Sequence, residues 1–135
     1  MQNFIGVKQV QAEPQERDGQ AGYRVVYPNG YESWSPQEVF ESAYLEIGED
    51  PTRVDEAAVE EMDAGMDAQR MGNHTVVRLQ LRNGFSIVAD SACVEAANYS
   101  EEIGTDLALE EARDEVWAYL GFVLAWARNG LQKAE

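Results

Sequence analysis

Seven carboxylates crowd residues 101–115: Glu101, Glu102, Asp106, Glu110, Glu111, Asp114 and Glu115, with Arg113 the one base among them. Glu102, Asp106, Glu110 and Asp114 repeat at i, i+4, so in a helix each stands about 6 Å beyond the last. The seven acids then span roughly 21 Å of helix. A DNA strand presents one phosphate per about 3.4 Å of axis. A row of that density suits a protein that occupies a DNA- or RNA-binding groove by imitation. The plainer account is a solvated helix, because the acids spread over more than one face and Arg113 interrupts them. Like charges at i, i+4 nevertheless repel and cost helix stability, so the row calls for a reason. A second negative group, Asp55, Glu56, Glu60 and Glu61, falls on another helical stretch.

Other chemistry finds little material. Cys93 and His74 are the only thiol and imidazole, and a Cys–His nucleophile needs the two adjacent with an orienting group. Cys93 lies in Ser-Ala-Cys-Val, where a small thiol fits a packed core, and His74 follows Gly72-Asn73 as an exposed turn residue. One His and one Cys exclude ordinary zinc patterns. Glu111-x-x-Asp114 resembles half of the acidic motif of helical nucleotide pyrophosphatases. The second half is missing: Glu38-x-x-Glu41 lies about 70 residues away and Glu46-x-x-Glu49 straddles a helix end. No glycine-rich phosphate loop, nucleophile elbow or basic-aromatic nucleic-acid motif occurs. The expectation is a protein that is not an enzyme, with no catalytic residue, metal or cofactor.

Composition points the same way. The 135 residues hold 25 Asp+Glu against 10 Lys+Arg, a formal charge of −15. Such a chain will not bind nucleic acid or anionic lipid through bulk charge. Its longest uncharged apolar stretch, Val116 to Ala127, is about 12 residues against the ~20 of a membrane span. No basic leader with an apolar run opens the sequence, and a single cysteine fits a reducing cytoplasm. Charge is uneven: residues 35–67 carry eleven acids and one base, residues 100–135 eight acids and three bases.

The elements that must position these groups read as α+β. Phe4 to Ala12 has strand composition, followed by a polar loop over Gln15 to Gly22. Tyr23, Val25 and Tyr27 alternate in a second strand, Pro28-Asn29-Gly30 turns the chain, and Tyr31 to Trp34 returns. Tyr23, Tyr27, Tyr31 and Trp34 cluster there, and any left outside would form a recognition surface. Ser35-Pro36-Gln37-Glu38 predicts a capping box opening a helix that runs through Val39, Phe40, Ala43, Tyr44 and Ile47 to Gly48. After Asp50-Pro51, Thr52 with Asp55 predicts a second helix over Val54, Ala57, Ala58 and Met62, ending near Asp63 to Gly65. Ala68 to Met71 is a short strand. Val77, Leu79 and Leu81 alternate with Arg78, Gln80 and Arg82 in a clear one, and Asn83-Gly84 leads into Phe85 to Ala89. From Ser100 to Arg128 a long helix follows, with Leu109, Ala112, Val116, Leu120, Val123 and Ala127 within about 80° of arc. Ile103 and Leu107 lie off that arc, so either the helix breaks near Gly104 or its first turns bury a second face against the N-terminal part or another subunit, the reading preferred here. The organisation is an N-terminal three-strand and helix module over 1–48, an acidic helical connector over 49–66, and a β-hairpin packed on a long helix over 67–135.

Two stretches resemble known phage proteins. His74 to Arg128 has a strand ending in Asn83-Gly84-Phe85, then Ser91-Ala92-Cys93-Val94, Tyr99 and Glu102-Ile103-Gly104. It closes on Ala108, Ala112, Trp117 and Gly121 at A-x3-A-x4-W-x3-G spacing. This combination is similar to the tailed-phage gene product forty-nine/sixty-six family. Residues 3–47, with NFIGVKQVQAEP and VVYPNGYESWSPQEVFESAY, resemble an opening module of several phage proteins, some with other C-terminal domains. The part of the −10 segment between the two modules lies outside both stretches. The resemblance implies a phage or prophage accessory protein of the host bacterial cytoplasm, and an opening module with a docking or stabilising task. It brings no catalytic residues.

The leading expectation is an accessory protein that binds and inhibits a host protein with a basic groove, a defence or nucleic-acid-handling factor. Its contacts would be Glu102, Asp106, Glu110 and Asp114 together with Asp55, Glu56, Glu60 and Glu61. Two readings of other classes stand beside it. A nucleotide-signal binder would converge Arg78 and Arg82 on phosphate. A structural homo-oligomer, such as a homodimer, would use Ile103 and Leu107.

Overall fold

The computed structural model describes residues 1–133. Its elements are β1 (Gln11–Pro14), β2 (Gly22–Val26), β3 (Glu32–Pro36), α1 (Gln37–Ala43), α2 (Glu56–Glu61), β4 (Asp63–Met71), β5 (His74–Leu81), β6 (Ser86–Ala92) and α3 (Glu101–Asn129). A short 3-10 turn, Ala96–Asn98, precedes α3. The strands form two antiparallel three-stranded sheets, ordered β1-β2-β3 and β4-β5-β6. This is the α+β class. By packing the chain divides into two units: residues 1–46 with the chain from Phe122 on, and residues 47–121.

In the first unit the two turns sit where turn chemistry predicts them, but strand β1 is short. Residues 4–10 lie outside regular structure, and Phe4 and Ile5 are exposed. The register explains it. Gln11 stands opposite Val26, the last residue of β2, and Pro28 of the next turn has no N–H to offer residues further back. The capping box also does not form. Ser35 is held in the ladder opposite Tyr23 and bonds through its hydroxyl to the Pro36 carbonyl, so α1 starts at Gln37 without a side-chain cap. It stops at Ala43, four residues short of Ile47, because Tyr44 turns extended (φ −130°, ψ 140°). Tyr44 then stacks on Phe40 at 4.8 Å, and Phe40 meets Tyr23 at 4.5 Å. The far end of α3 closes on Gly130, whose positive φ of 64° lets its N–H reach the Trp126 carbonyl at 2.8 Å.

The second unit holds the larger core: Val59, Leu79, Leu81, Ile87, Ala89, Ala112 and Val116. Here α2 begins three residues after the predicted start. Asp55, not Thr52, is its cap, accepting from Ala58 N–H at 2.9 Å, while Thr52 is spent in a turn on Asp50. β4 is longer than predicted, nine residues from Asp63 with a register shift at Asp63/Gly65. β5 alternates as its sequence requires, with Thr75, Val77, Leu79 and Leu81 inside and His74, Arg78 and Gln80 outside.

α3 runs unbroken through Gly104. That glycine sits so close to the sheet that a Cβ there would stand 2.1 Å from Thr75 Oγ1. Ser91 Oγ donates to its carbonyl at 2.7 Å, and Thr75 Oγ1 shares a 3.0 Å hydrogen bond with Tyr99. Gly104, Ala108, Ala112 and Val116, spaced four apart, form the seam on the sheet; the last three are fully buried. Leu109 and Leu120 flank it, whereas Val123 of the predicted stripe is exposed.

Candidate functional site

The acidic row lies where α3 begins. Glu101 and Glu102 occupy its first turn, where the positive end of the helix favours carboxylates. That account does not reach Asp106, Glu110, Glu111, Asp114 and Glu115, which lie beyond the first turn. All seven are exposed, and among the described residues none has a basic partner. The nearest base in sequence, Arg113, turns to β4 instead and holds Asp63 through Nε at 3.1 Å and Nη2 at 2.8 Å. Asp63 is mostly buried, and among the described residues its Oδ1 has no hydrogen-bond partner and Arg113 is its sole counter-charge.

The acids of α2 divide by role. Asp55 is the helix cap, and Glu61 accepts from Arg82 Nη1 at 3.0 Å. Glu56 and Glu60 are exposed and make neither kind of contact. The arginines of the nucleotide-binding reading are both engaged. Arg78 holds Asp67 across the outer face of the sheet through Nε at 3.1 Å, and Arg82 holds Glu61. All five bases of the second unit are committed in this way, since Arg53 faces Asp50 at 3.8 Å and Arg70 lies over the Tyr99 ring at 3.9 Å.

Ile103 and Leu107 each precede a seam residue, so they turn about 100° away from the sheet. They are 62 % and 53 % exposed, and Glu110 and Asp114 continue along the same side of the helix.

Cys93 is half-buried just past β6 rather than in the core, and its thiol donates to the Glu95 carbonyl at 3.5 Å. His74 is exposed as the first residue of β5, and its Nδ1 lies 2.8 Å from Asp90 Oδ2. Cys93 is next to the His74–Ala92 pair in the ladder, bonding backbone to backbone with Asn73. Alternation sends the two side chains to opposite faces, so no Cys–His couple is assembled. Among the described residues no group of three or more His, Cys, Asp or Glu could hold a metal ion.

The aromatics of the first sheet also separate. Tyr23 and Tyr27 share one face; burial first, and then the Glu41 carboxylate, pushes the Tyr23 phenol above its usual 10.0. Burial, with Tyr27 beside it, does the same to Tyr44. Trp34 stands on the other face against Gly22, donates to the Gln15 carbonyl at 2.8 Å and lies under Arg17. Tyr31 alone of the four is largely exposed.

Sequence reasoning missed the Gly104–Thr75–Tyr99 contact and the Arg113–Asp63 pair. The Glu-Ile-Gly run held a signal for the first, a helical glycine among good helix formers. Nothing local announces the second.

The model of the family described as Phage protein (N4 Gp49/phage Sf6 gene 66) matches residues 40–127. The match therefore takes in most of the −10 segment as well as the hairpin and long helix, further toward the N-terminus than the resemblance quoted from His74 on. Residues 1–39, which carry most of the opening module, lie outside it. No curated protein and no solved structure matches the chain.

Proposed function

This chain belongs to that phage protein family, and on that premise we propose that it is an accessory protein that binds a host protein through the acidic side of α3 and inhibits it. One observation carries the reading: among the described residues five exposed carboxylates beyond the first turn of α3 have no ion-pair partner, while every arginine of that unit is already committed. Repulsion at three i, i+4 steps, Glu102 to Asp114, costs about 1 kcal/mol of helix stability. A basic groove would turn that cost into attraction and steer association. Glu56 and Glu60 are the free acids on α2 that could join it, with Asp55 and Glu61 tied to structural tasks. The partner is a defence or nucleic-acid-handling factor whose groove normally receives phosphates, which makes the acidic helix a mimic of a nucleic-acid backbone. No helix among the described residues is long and apolar enough to cross a membrane, in keeping with action in the host cytoplasm.

The test is capture from host lysate on the tagged chain at low and high salt, with proteins and small molecules both identified by mass spectrometry. One nucleic-acid-binding host protein, released at high salt and absent from a chain with Glu102, Asp106, Glu110 and Asp114 reversed to Lys, supports the reading. A retained nucleotide with no host protein would replace it by ligand binding. Capture of the chain's own copies alone would replace it by self-assembly.

A further inference from the structure

The longest strand of the chain is also an open edge. β4 pairs with β5 on one side, and among the described residues no backbone hydrogen bond outside that ladder reaches residues 64–71. Edges are commonly blunted by shortness, proline or a bulge. β1 has four residues and ends on Pro14, whereas β4 has nine, no proline, and its irregularity only at Asp63/Gly65.

The register says which groups face the opening. Gly72-Asn73 is a two-residue turn with Gly72 at φ 62°, so the flanking pair Met71–His74 exchanges hydrogen bonds. Alternation then points the N–H and C=O of Met66, Ala68 and Arg70 away from β5. The side chains of Met66 and Ala68 share a face with their partners Leu79 and Val77, the face that α3 covers. Leu79 and Val77 are buried, yet Met66 is 44 % exposed and Ala68 is exposed too.

α3 runs beside this uncovered margin. Tyr99, just before the helix, lies under Arg70 near the end of β4, and Arg113 holds Asp63 at its start. Residues 102, 106 and 109 share the helix stripe of Arg113. Glu102 and Asp106 thus stand on the stripe of α3 that faces this margin, on the side of the apolar shelf of Met66 and Ala68.

Resting on the proposed acidic docking face, we propose that the partner's chain joins here as a fourth strand. An extended segment with basic residues at every second position adds to the open edge of β4. Its Lys or Arg stems lie along Met66 and Ala68, and their cations meet Glu102 and Asp106. Charge selects this occupant over a second copy, because a second copy also carries −15.

The probe is an acetylated ten-residue peptide alternating Lys and Thr, followed by fluorescence anisotropy and by amide hydrogen exchange of the whole chain. The expected result is binding with new protection at the amides of Met66, Ala68 and Arg70. Ala68→Pro removes one outward N–H without touching the β5 ladder and should weaken binding about tenfold. Ala68→Lys, which keeps the backbone donor, and the Glu102→Lys/Asp106→Lys pair should each do the same. A peptide N-methylated at alternate residues should not bind. Binding that survives Ala68→Pro and Ala68→Lys, without protection on β4, would overturn strand addition and leave the acidic face standing. Equal binding of a Glu/Thr peptide would overturn the choice of a basic segment, and a two-chain species dispersed by Ala68→Pro would assign the edge to a second copy.

Discussion

Two glycines of one helix should respond to alanine with opposite signs. At Gly121 a Cβ meets nothing within 4 Å, so Gly121→Ala gains only the lower backbone entropy of alanine, up to about 1 kcal/mol. At Gly104 the same methyl would stand 2.1 Å from Thr75 Oγ1, 2.9 Å from Thr75 Cβ and 3.3 Å from Ser91 Oγ. Thr75 is fully buried and bonded to Tyr99, so it cannot swing aside without losing that bond, about 0.5–1.5 kcal/mol. Lifting the helix instead opens the Ala108 and Ala112 contacts, and such overpacking costs about 1–3 kcal/mol. Both variants share a propensity gain of about 1 kcal/mol, so Gly104→Ala should destabilise the chain by up to about 2 kcal/mol and stand about 1–3 kcal/mol below Gly121→Ala. Urea denaturation followed by circular dichroism reads both variants. A Gly104→Ala chain as stable as Gly121→Ala would refute the close approach of α3 to the sheet.

Other outcomes follow from the same contacts. Arg113→Met should cost about 1–3 kcal/mol in urea denaturation, because Asp63 is left mostly buried without its counter-charge; an unchanged midpoint would contradict the pair. Tyr23 and Tyr44 hold phenols raised above 10.0, so the folded state keeps its protons longer than the unfolded chain. Their contribution is complete below pH 10 and disappears as pH climbs through the raised values. Absorbance at the phenolate band should show an ionisation step above pH 10 that shrinks in Tyr44→Phe and in Tyr23→Phe. Glu60→Lys should leave folding within about 0.5 kcal/mol of the parent, since this exposed acid lies past the first turn of α2 and has no partner among the described residues; thermal melts check it.

The sheet of the second unit was legible because its signals are local. Val77, Leu79 and Leu81 alternate, Asn83-Gly84 turns the chain, and no proline interrupts the 29 residues of α3. Phe4 to Val10 misled because strand composition needs a partner, and β2 ends at Val26 before it can supply one. Ser35 misled because a residue fit to cap a helix was already paired to Tyr23. The buried seam of α3 was only half legible. A search for apolar side chains finds Ala112 and Val116 and passes over Gly104 and Ala108, where closeness comes from having little side chain. At the candidate site, the number and spacing of acids stood in the sequence. Which of them were already occupied did not, because Asp55 answers to a helix end and Arg113 to an aspartate 50 residues away.

If the unpaired carboxylates of α3 are a binding surface rather than a solvated one, they set the affinity for the partner. The direct measurement is the affinity of the captured host protein for the parent chain and for the Glu102, Asp106, Glu110 and Asp114 reversal, each across ionic strength. A docking face predicts parent affinity that falls steeply with salt and a reversal that loses at least about a hundredfold at low salt, or roughly 2.7 kcal/mol. Equal affinities with the same flat salt response would contradict it.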